Sequence, residues 1–249
     1  MITDAERGPT RGPPRRGGAP PAAVLAPYTP PVRALVVLHG EIDTDHLRRE
    51  LANAGWVVAA DGGTAAVLAA GGRCDVIVGD QDSVSAEALA RARAANPAID
   101  VRVYPTAKDF TDAEIALRAA LERHPGEVVV AGAFGGDRLD HELGTIALLA
   151  HREWADTDVI LRDARRSVAL VRRCRAWTGS VGDLVTLLAW GGDAAGVSTR
   201  GLQYPLSGAR LPLGASLGVS NVMVEASAAL EVEAGAVLVI HVRQDVSAT

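Results

Sequence analysis

At 249 residues, 48% of them apolar, the chain has enough material for one large or two modest globular domains. Its formal net charge of -5 gives no electrostatic ground for nucleic acid or an anionic membrane as the main partner, while small anions held by local groups stay open. Cys74 and Cys174 stand far apart, with neither a CxxC pair nor a histidine cluster beside them, which argues against a zinc site or a disulfide framework and for a reducing, cytoplasmic setting.

Residues 1–32 are rich in Pro, Arg, Gly and Ala, densest in RGPPRRGGAPP, and read as a disordered tail. A basic arm touching nucleic acid or a partner is the alternative reading. The N-terminus lacks the apolar core of a secretory signal, so export is not expected. From Ala34 the pattern turns to short apolar runs separated by helical segments, at Ala34–Leu38, Trp56–Ala60, Asp75–Val78, Val101–Tyr104, Glu127–Ala131 and Asp158–Leu161. Alternation of this kind implies βαβ units and a parallel sheet, and uninterrupted runs such as Val128–Val130 fit strands covered on both faces. The expected first domain is therefore α/β over residues 33–163. Beyond Asp163 the runs DLVTLLAW, VSNVMVE and AVLVIHVR follow one another closely with Gly and Pro between them. They predict an antiparallel β domain over 164–243, followed by a short tail at 244–249. No apolar run approaches the roughly 20 residues that span a bilayer, so no membrane partner is expected.

Ligands of an open parallel sheet bind beyond the carboxyl ends of its strands. Four strand ends carry glycines and carboxylates: Asp61-Gly62-Gly63, Gly79-Asp80-Gln81-Asp82-Ser83, Lys108-Asp109-Phe110-Thr111-Asp112, and the segment from Gly132 to His141. Glycine allows close backbone approach and positive φ, and carboxylates are hard oxygen ligands, so together they describe a crevice for a metal-bound polyphosphate. Asp80 and Asp82, two apart, can face one Mg2+ ion, or can simply shape a turn. Thr111 with Glu114 forms a capping box, which places Asp109 and Asp112 at a helix N-terminus where negative charge is favoured with or without metal. Lys108 adds a cation beside them. Gly135 and Gly136 can turn bare amides toward phosphate at the start of a helix running to about Ala150, Arg138 offers a bidentate fork, Asp140 a ligand or proton acceptor, and His141 a contact or a cap. Neither GxxxxGK[ST] nor GxGxxG occurs, so the phosphate machinery is of another type.

Six motifs in order, ADGG (Ala60–Gly63), GDQDS (Gly79–Ser83), KDFTDAEIAL (Lys108–Leu117), GAFGGDRLDH (Gly132–His141), GLQYPL (Gly201–Leu206) and VSN (Val219–Asn221), resemble the thiamine pyrophosphokinases from about Leu35 to Val242. The resemblance implies a homodimer of two-domain subunits, an α/β domain carrying ATP and Mg2+ and a β-sandwich, with thiamine near the subunit interface. It casts Asp80, Asp82, Asp109 and Asp112 as the metal and phosphate pole. It casts Asp61, Gly62, Gly63, Lys108, Thr111, Gly132, Gly135, Gly136, Arg138, Asp140 and His141 as the nucleotide side. Gly201, Tyr204, Leu206, Ser220 and Asn221 fall on the thiamine side, where the residues alone suggest a packed aromatic and a turn. The chain departs from the family pattern GGRxDH by Asp137, inserted between Gly136 and Arg138, and carries Val219 and Val222 around the Ser-Asn pair. A metal-dependent phosphohydrolase and a non-catalytic thiamine or nucleotide sensor are the rival readings.

Overall fold

The computed structural model describes residues 32–80, 84–105, 107 and 109–244; the expectations for the tail, Asp82 and Lys108 lie outside the described residues. The strands are β1 (Arg33–Val37), β2 (Trp56–Ala60), β3 (Val76–Gly79), β4 (Asp100–Val103), β5 (Glu127–Ala131), β6 (Asp158–Arg162), β7 (Arg166–Val171), β8 (Cys174–Thr178), β9 (Leu184–Ala189), β10 (Ala194–Arg200), β11 (Ala209–Leu211), β12 (Asn221–Val222), β13 (Ser227–Glu231) and β14 (Val237–Val242). The helices are α1 (Thr44–Ala52), α2 (Gly63–Ala69), α3 (Ala86–Ala95), α4 (Asp112–Leu121) and α5 (Leu139–Leu148). All six apolar runs of the first half appear as strands, with ends shifted by about one residue.

One sheet runs through most of the described chain in the order β12-β9-β14-β7-β6-β5-β1-β2-β3-β4. Strands β6 to β4 in that order are parallel, and β7, β14, β9 and β12 extend the sheet antiparallel. The C-terminal region is therefore a sandwich of which one layer continues the parallel sheet. Its second layer is a separate sheet, β11-β10-β13-β8. Apolar runs are needed in β1 and β5 because both faces are covered. Leu35, Val37 and Val129 pack with Leu47 and Val67 of α1 and α2, while Val36 and Val130 pack with Ile115 and Leu117 of α4. In the sandwich only one face of each sheet is dry, so residues alternate: Val185, Leu187, Val237 and Val239 meet Val197, Ala228 and Leu230 across the layers.

Two buried polar groups tie these layers. Glu50 of α1 is 6% exposed and contacts Arg33, with Arg162 at 3.5 Å and His46 at 3.6 Å. Asp183, 2% exposed, bonds His241 Nε2 at 2.8 Å and accepts the Ser180 and Gln244 N–H groups at 3.0 and 3.1 Å. Burial raises the Asp183 carboxyl, but those three donors outweigh it and hold the group below the usual carboxylate range.

The order β4-β3-β2-β1-β5-β6 carries the chain outward to β4 and then back to the other side of β1. The strand order thus reverses between β1 and β5, and the fold opens a crevice there at the carboxyl edge.

Candidate functional site

A cleft of about 310 Å³ lies at that reversal, lined by the residues following β1, β2 and β5 and by the first turns of α4 and α5. Its floor is two loops laced together: Leu38 N–H donates to Ala131 O, Gly40 N–H to Gly132 O and Glu41 N–H to Phe134 O, each at 2.9 Å. The loops approach so closely that a Cβ at Gly40 would lie 2.5 Å from both Gly132 O and Phe134 O. Gly132, Gly135 and Gly136 have φ of +69°, +78° and +88°, conformations that strain any L side chain.

The acidic pole forms where β2 and β3 end. Asp61 has φ +48° and one carboxylate oxygen sealed from solvent. That oxygen lies against Gly79, where a Cβ would come within 2.5 Å of it, so the bare α-carbon makes room for the Asp61 carboxylate at the end of β3. Gly62 caps α2, and Gly63 presses on the Val37 carbonyl, 2.2 Å from where its Cβ would be. A Cβ at Gly62 would strike the ring of His39, 1.9 Å from Nδ1. His39 and Gly40 follow the first strand, whose end, His39-Gly40-Glu41-Ile42-Asp43, carries glycine beside carboxylates as the other four do. The sequence reading passed over that signal.

Thr111 caps α4, its Oγ1 accepting the Glu114 N–H at 3.2 Å, as the capping box predicts. The Glu114 carboxylate is turned to Arg118 instead of back to Thr111. Thr111 and Asp112 line the cleft, whereas Asp109 is exposed and lies outside its lining. Gly132, Gly135, Gly136, Arg138 and His141 line it too. Helix α5 begins at Leu139, three residues beyond Gly136, so the two glycines sit in a loop before the helix and not in its first turn. The Arg138 fork is closed on Asp140, with Nε and Nη2 at 2.9 and 2.6 Å from the carboxylate oxygens. This pairing lowers the Asp140 carboxyl to about 2. The Gly135 N–H is held by Glu142 Oε2 at 3.2 Å, a contact no spacing rule announced.

Among the described residues no three carboxylate, imidazole or thiol groups are arranged as ligands of one ion. The donor set nevertheless fits a hard divalent cation: the Asp61 carboxylate lies against Gly79 at the end of β3, and among the described residues the cleft lining holds four carboxylates against one guanidinium. Such a surplus opposes a polyphosphate, and a cation offsets that opposition.

The thiamine-side motifs gather elsewhere. Asn221, 8% exposed, accepts the Tyr204 N–H at 3.0 Å through Oδ1 and donates Nδ2 to the Tyr204 carbonyl at 2.7 Å. It also accepts the Val222 N–H at 2.9 Å. Leu206 N–H bonds Thr199 Oγ1 at 2.8 Å, and Leu206 packs partly into the sandwich core. Gly201 has φ +74° and a Cβ there would lie 2.1 Å from Ser227 O. Ser220, at φ +60°, donates its N–H to Thr186 Oγ1. The clamp leaves the Tyr204 side chain out in solvent, 65% exposed. By strand register Val222 lies on the same sheet edge as the cleft. Five strand positions separate β12 from β5, roughly 24 Å at the usual interstrand spacing.

The model of the thiamin pyrophosphokinase catalytic domain matches residues 47–161, and that of the thiamin pyrophosphokinase vitamin B1 binding domain matches residues 176–238. The chain belongs to the thiamine pyrophosphokinase family. A thiamine pyrophosphokinase of Bacillus subtilis is 28% identical over 188 residues, 75% of this chain and 86% of the relative. Among solved structures, the thiamin pyrophosphokinase of Geobacillus thermodenitrificans is 26% identical with a TM-score of 0.74, covering 87% of this chain and all of that one. The yeast thiamin pyrophosphokinase, at 14% identity and a TM-score of 0.67 over 87% of this chain and 88% of its own, shares the fold. The described residues of ADGG, KDFTDAEIAL and GAFGGDRLDH in this family member thus reach the cleft, and those of GLQYPL and VSN gather in the 201–222 loop.

Proposed function

We propose that this chain transfers the terminal pyrophosphoryl group of ATP to the hydroxyl of thiamine, giving thiamine diphosphate and AMP. The observation that carries the reading is the cleft at the β1/β5 reversal, where glycine loops and a carboxylate surplus meet. Asp61 and Asp80, with Asp82, Asp109 and Asp112 by motif, are the residues that would hold Mg2+. An ion held there would offset the negative charge of the phosphates.

The chain's own groups supply positioning and charge, which is most of what such transfers need. The glycine loops let phosphate oxygens approach backbone amides. Arg138 exchanges Asp140 for a phosphate, since both side chains are largely exposed and their pairing is cheap to open. The thiamine hydroxyl oxygen bonds to the β-phosphorus as the bridge to the α-phosphate breaks, and AMP leaves with the electron pair. Asp112, in the cleft wall at the start of α4, is the carboxylate placed to accept the hydroxyl proton.

Tyr204, presented by the Asn221 clamp, gives thiamine an aromatic face. Since the clamp lies about 24 Å along the sheet from the cleft in one chain, a homodimer in which one protomer's loop serves its partner's cleft is the arrangement we infer. The division into domains at Asp163, in the reversal between β6 and β7, and a cytoplasmic setting belong to the same reading. Among the described residues no helix is long and apolar enough to cross a membrane.

The test is incubation of purified protein with thiamine, ATP and Mg2+, following thiamine diphosphate and AMP. Matched formation of both, abolished by chelator, is expected. ATP loss without thiamine would replace the reading by a phosphohydrolase, and ligand binding without product by a sensor.

A further inference from the structure

The cleft lining sets Asp61, Asp112, Asp137 and Glu142 against Arg138 and the imidazoles of His39 and His141. A polyphosphate adds several negative charges to that surplus. Glu142 stands in the first turn of α5, where the helix dipole favours its charge, and its Oε2 accepts the Gly135 N–H at 3.2 Å. Gly135, at φ +78°, has the Glu41 side chain against its α-carbon, so a second carboxylate stands beside the amide that Glu142 holds. An internal carboxylate therefore already holds the amide that a phosphate oxygen would use, and Asp140 holds the only guanidinium of the lining in the same way.

We propose that Glu142 is a specificity-determining residue of the nucleotide site: its carboxylate, held at the Gly135 amide, repels incoming phosphate and so selects polyphosphate that arrives as its divalent-cation complex over the metal-free form. This rests on reading the cleft as the polyphosphate site. Competition for the amide itself weighs on both forms alike; the discrimination comes from like-charge repulsion at short range. A cation on the incoming phosphates cancels most of the repulsion, so the penalty falls on the metal-free nucleotide.

The test is calorimetric titration of ATP into the wild-type chain, Glu142→Gln and Glu142→Ala, once with Mg2+ and once with chelator. Glutamine keeps an acceptor for the Gly135 N–H and removes only the charge. Glu142→Gln is expected to bind metal-free ATP about tenfold more tightly than wild type, the scale of one hydrogen bond to a charged group. Its affinity for the Mg2+ complex is expected to change by less than about threefold, with Glu142→Ala behaving alike. Unchanged or weaker binding of metal-free ATP by Glu142→Gln overturns the proposal. So does loss of both forms by Glu142→Ala with Glu142→Gln at wild-type affinity, which makes Glu142 a clamp on the loop. If wild type binds neither form, the reading of the cleft itself falls, and this inference with it.

Discussion

The cleft and the 201–222 loop solve opposite problems. In the cleft, acidic side chains are crowded at the ends of β2 and β5 and in the first turns of α4 and α5, and the polar contacts at its rim are ones a ligand can exchange: Arg138 with Asp140, Gly135 with Glu142. In the loop, the polar contacts are internal and permanent. Asn221 spends both ends of its amide on Tyr204, and Met223, two residues on, bonds through its N–H to the carbonyl of buried Asp183. The cleft stores unfavourable charge for a ligand to relieve, whereas the loop uses satisfied hydrogen bonds to hold one exposed aromatic ring in place. Substitutions in the first should therefore cost activity and spare stability, and those in the second should cost both.

The largest effect is expected at the acidic pole. Asp80→Asn should lower turnover by at least about 100-fold, beyond the usual range for residues that only support a metal ligand, with a denaturation midpoint close to wild type. A clear loss of stability in that variant would erase the contrast between the regions. Asp183→Asn attacks the support of the loop and should cost about 3 kcal/mol in urea denaturation at neutral pH, as breaking a buried pair does. The Asp183 carboxyl is held below its ordinary value, so its contribution is present above about pH 3.8 and is lost as pH falls through the folded value. Acid unfolding of the variant should lack that component.

Asn221→Ala leaves both Tyr204 backbone groups to water and should cost about 1 kcal/mol. The sharper readout is kinetic: a rise of about tenfold in the KM for thiamine with that for ATP unchanged. Equal rises in both would mean that the loop serves the whole site. The smallest effect belongs beneath α1, outside both regions. Burial lowers the His46 imidazole, Glu50 opposing it. The unfolded chain takes up a proton below about pH 6.5 that the folded chain resists, so stability should fall there by at most about 1.4 kcal/mol per pH unit. His46→Gln should flatten that slope in denaturation curves between pH 7.5 and 5.5, values set around the ordinary histidine pKa of about 6.5.

Sequence reading succeeded where a local rule has a local cause. Apolar runs buried on two faces announced β1, β2, β3, β5 and β6, and the Thr111 cap on α4 followed from a side chain reaching three residues along its own backbone. Of the glycine and carboxylate clusters at the strand ends, those after β2, β4 and β5 contribute residues to the cleft lining, whereas Asp109 lies outside it. Tertiary structure alone decided three things. The sandwich shares a layer with the parallel sheet, since pairing of β6 with β7 depends on a tight reversal that composition does not encode. His39 and Gly40 belong to the site because β1 lies between β2 and β5, a neighbour relation across nearly a hundred residues. Charge partners were settled last. Whether Arg138 faces phosphate or Asp140, and whether the Gly135 amide is open or held by Glu142, depends on side-chain directions within a few ångströms. Sequence spacing leaves those undetermined, because electrostatic attraction has no period.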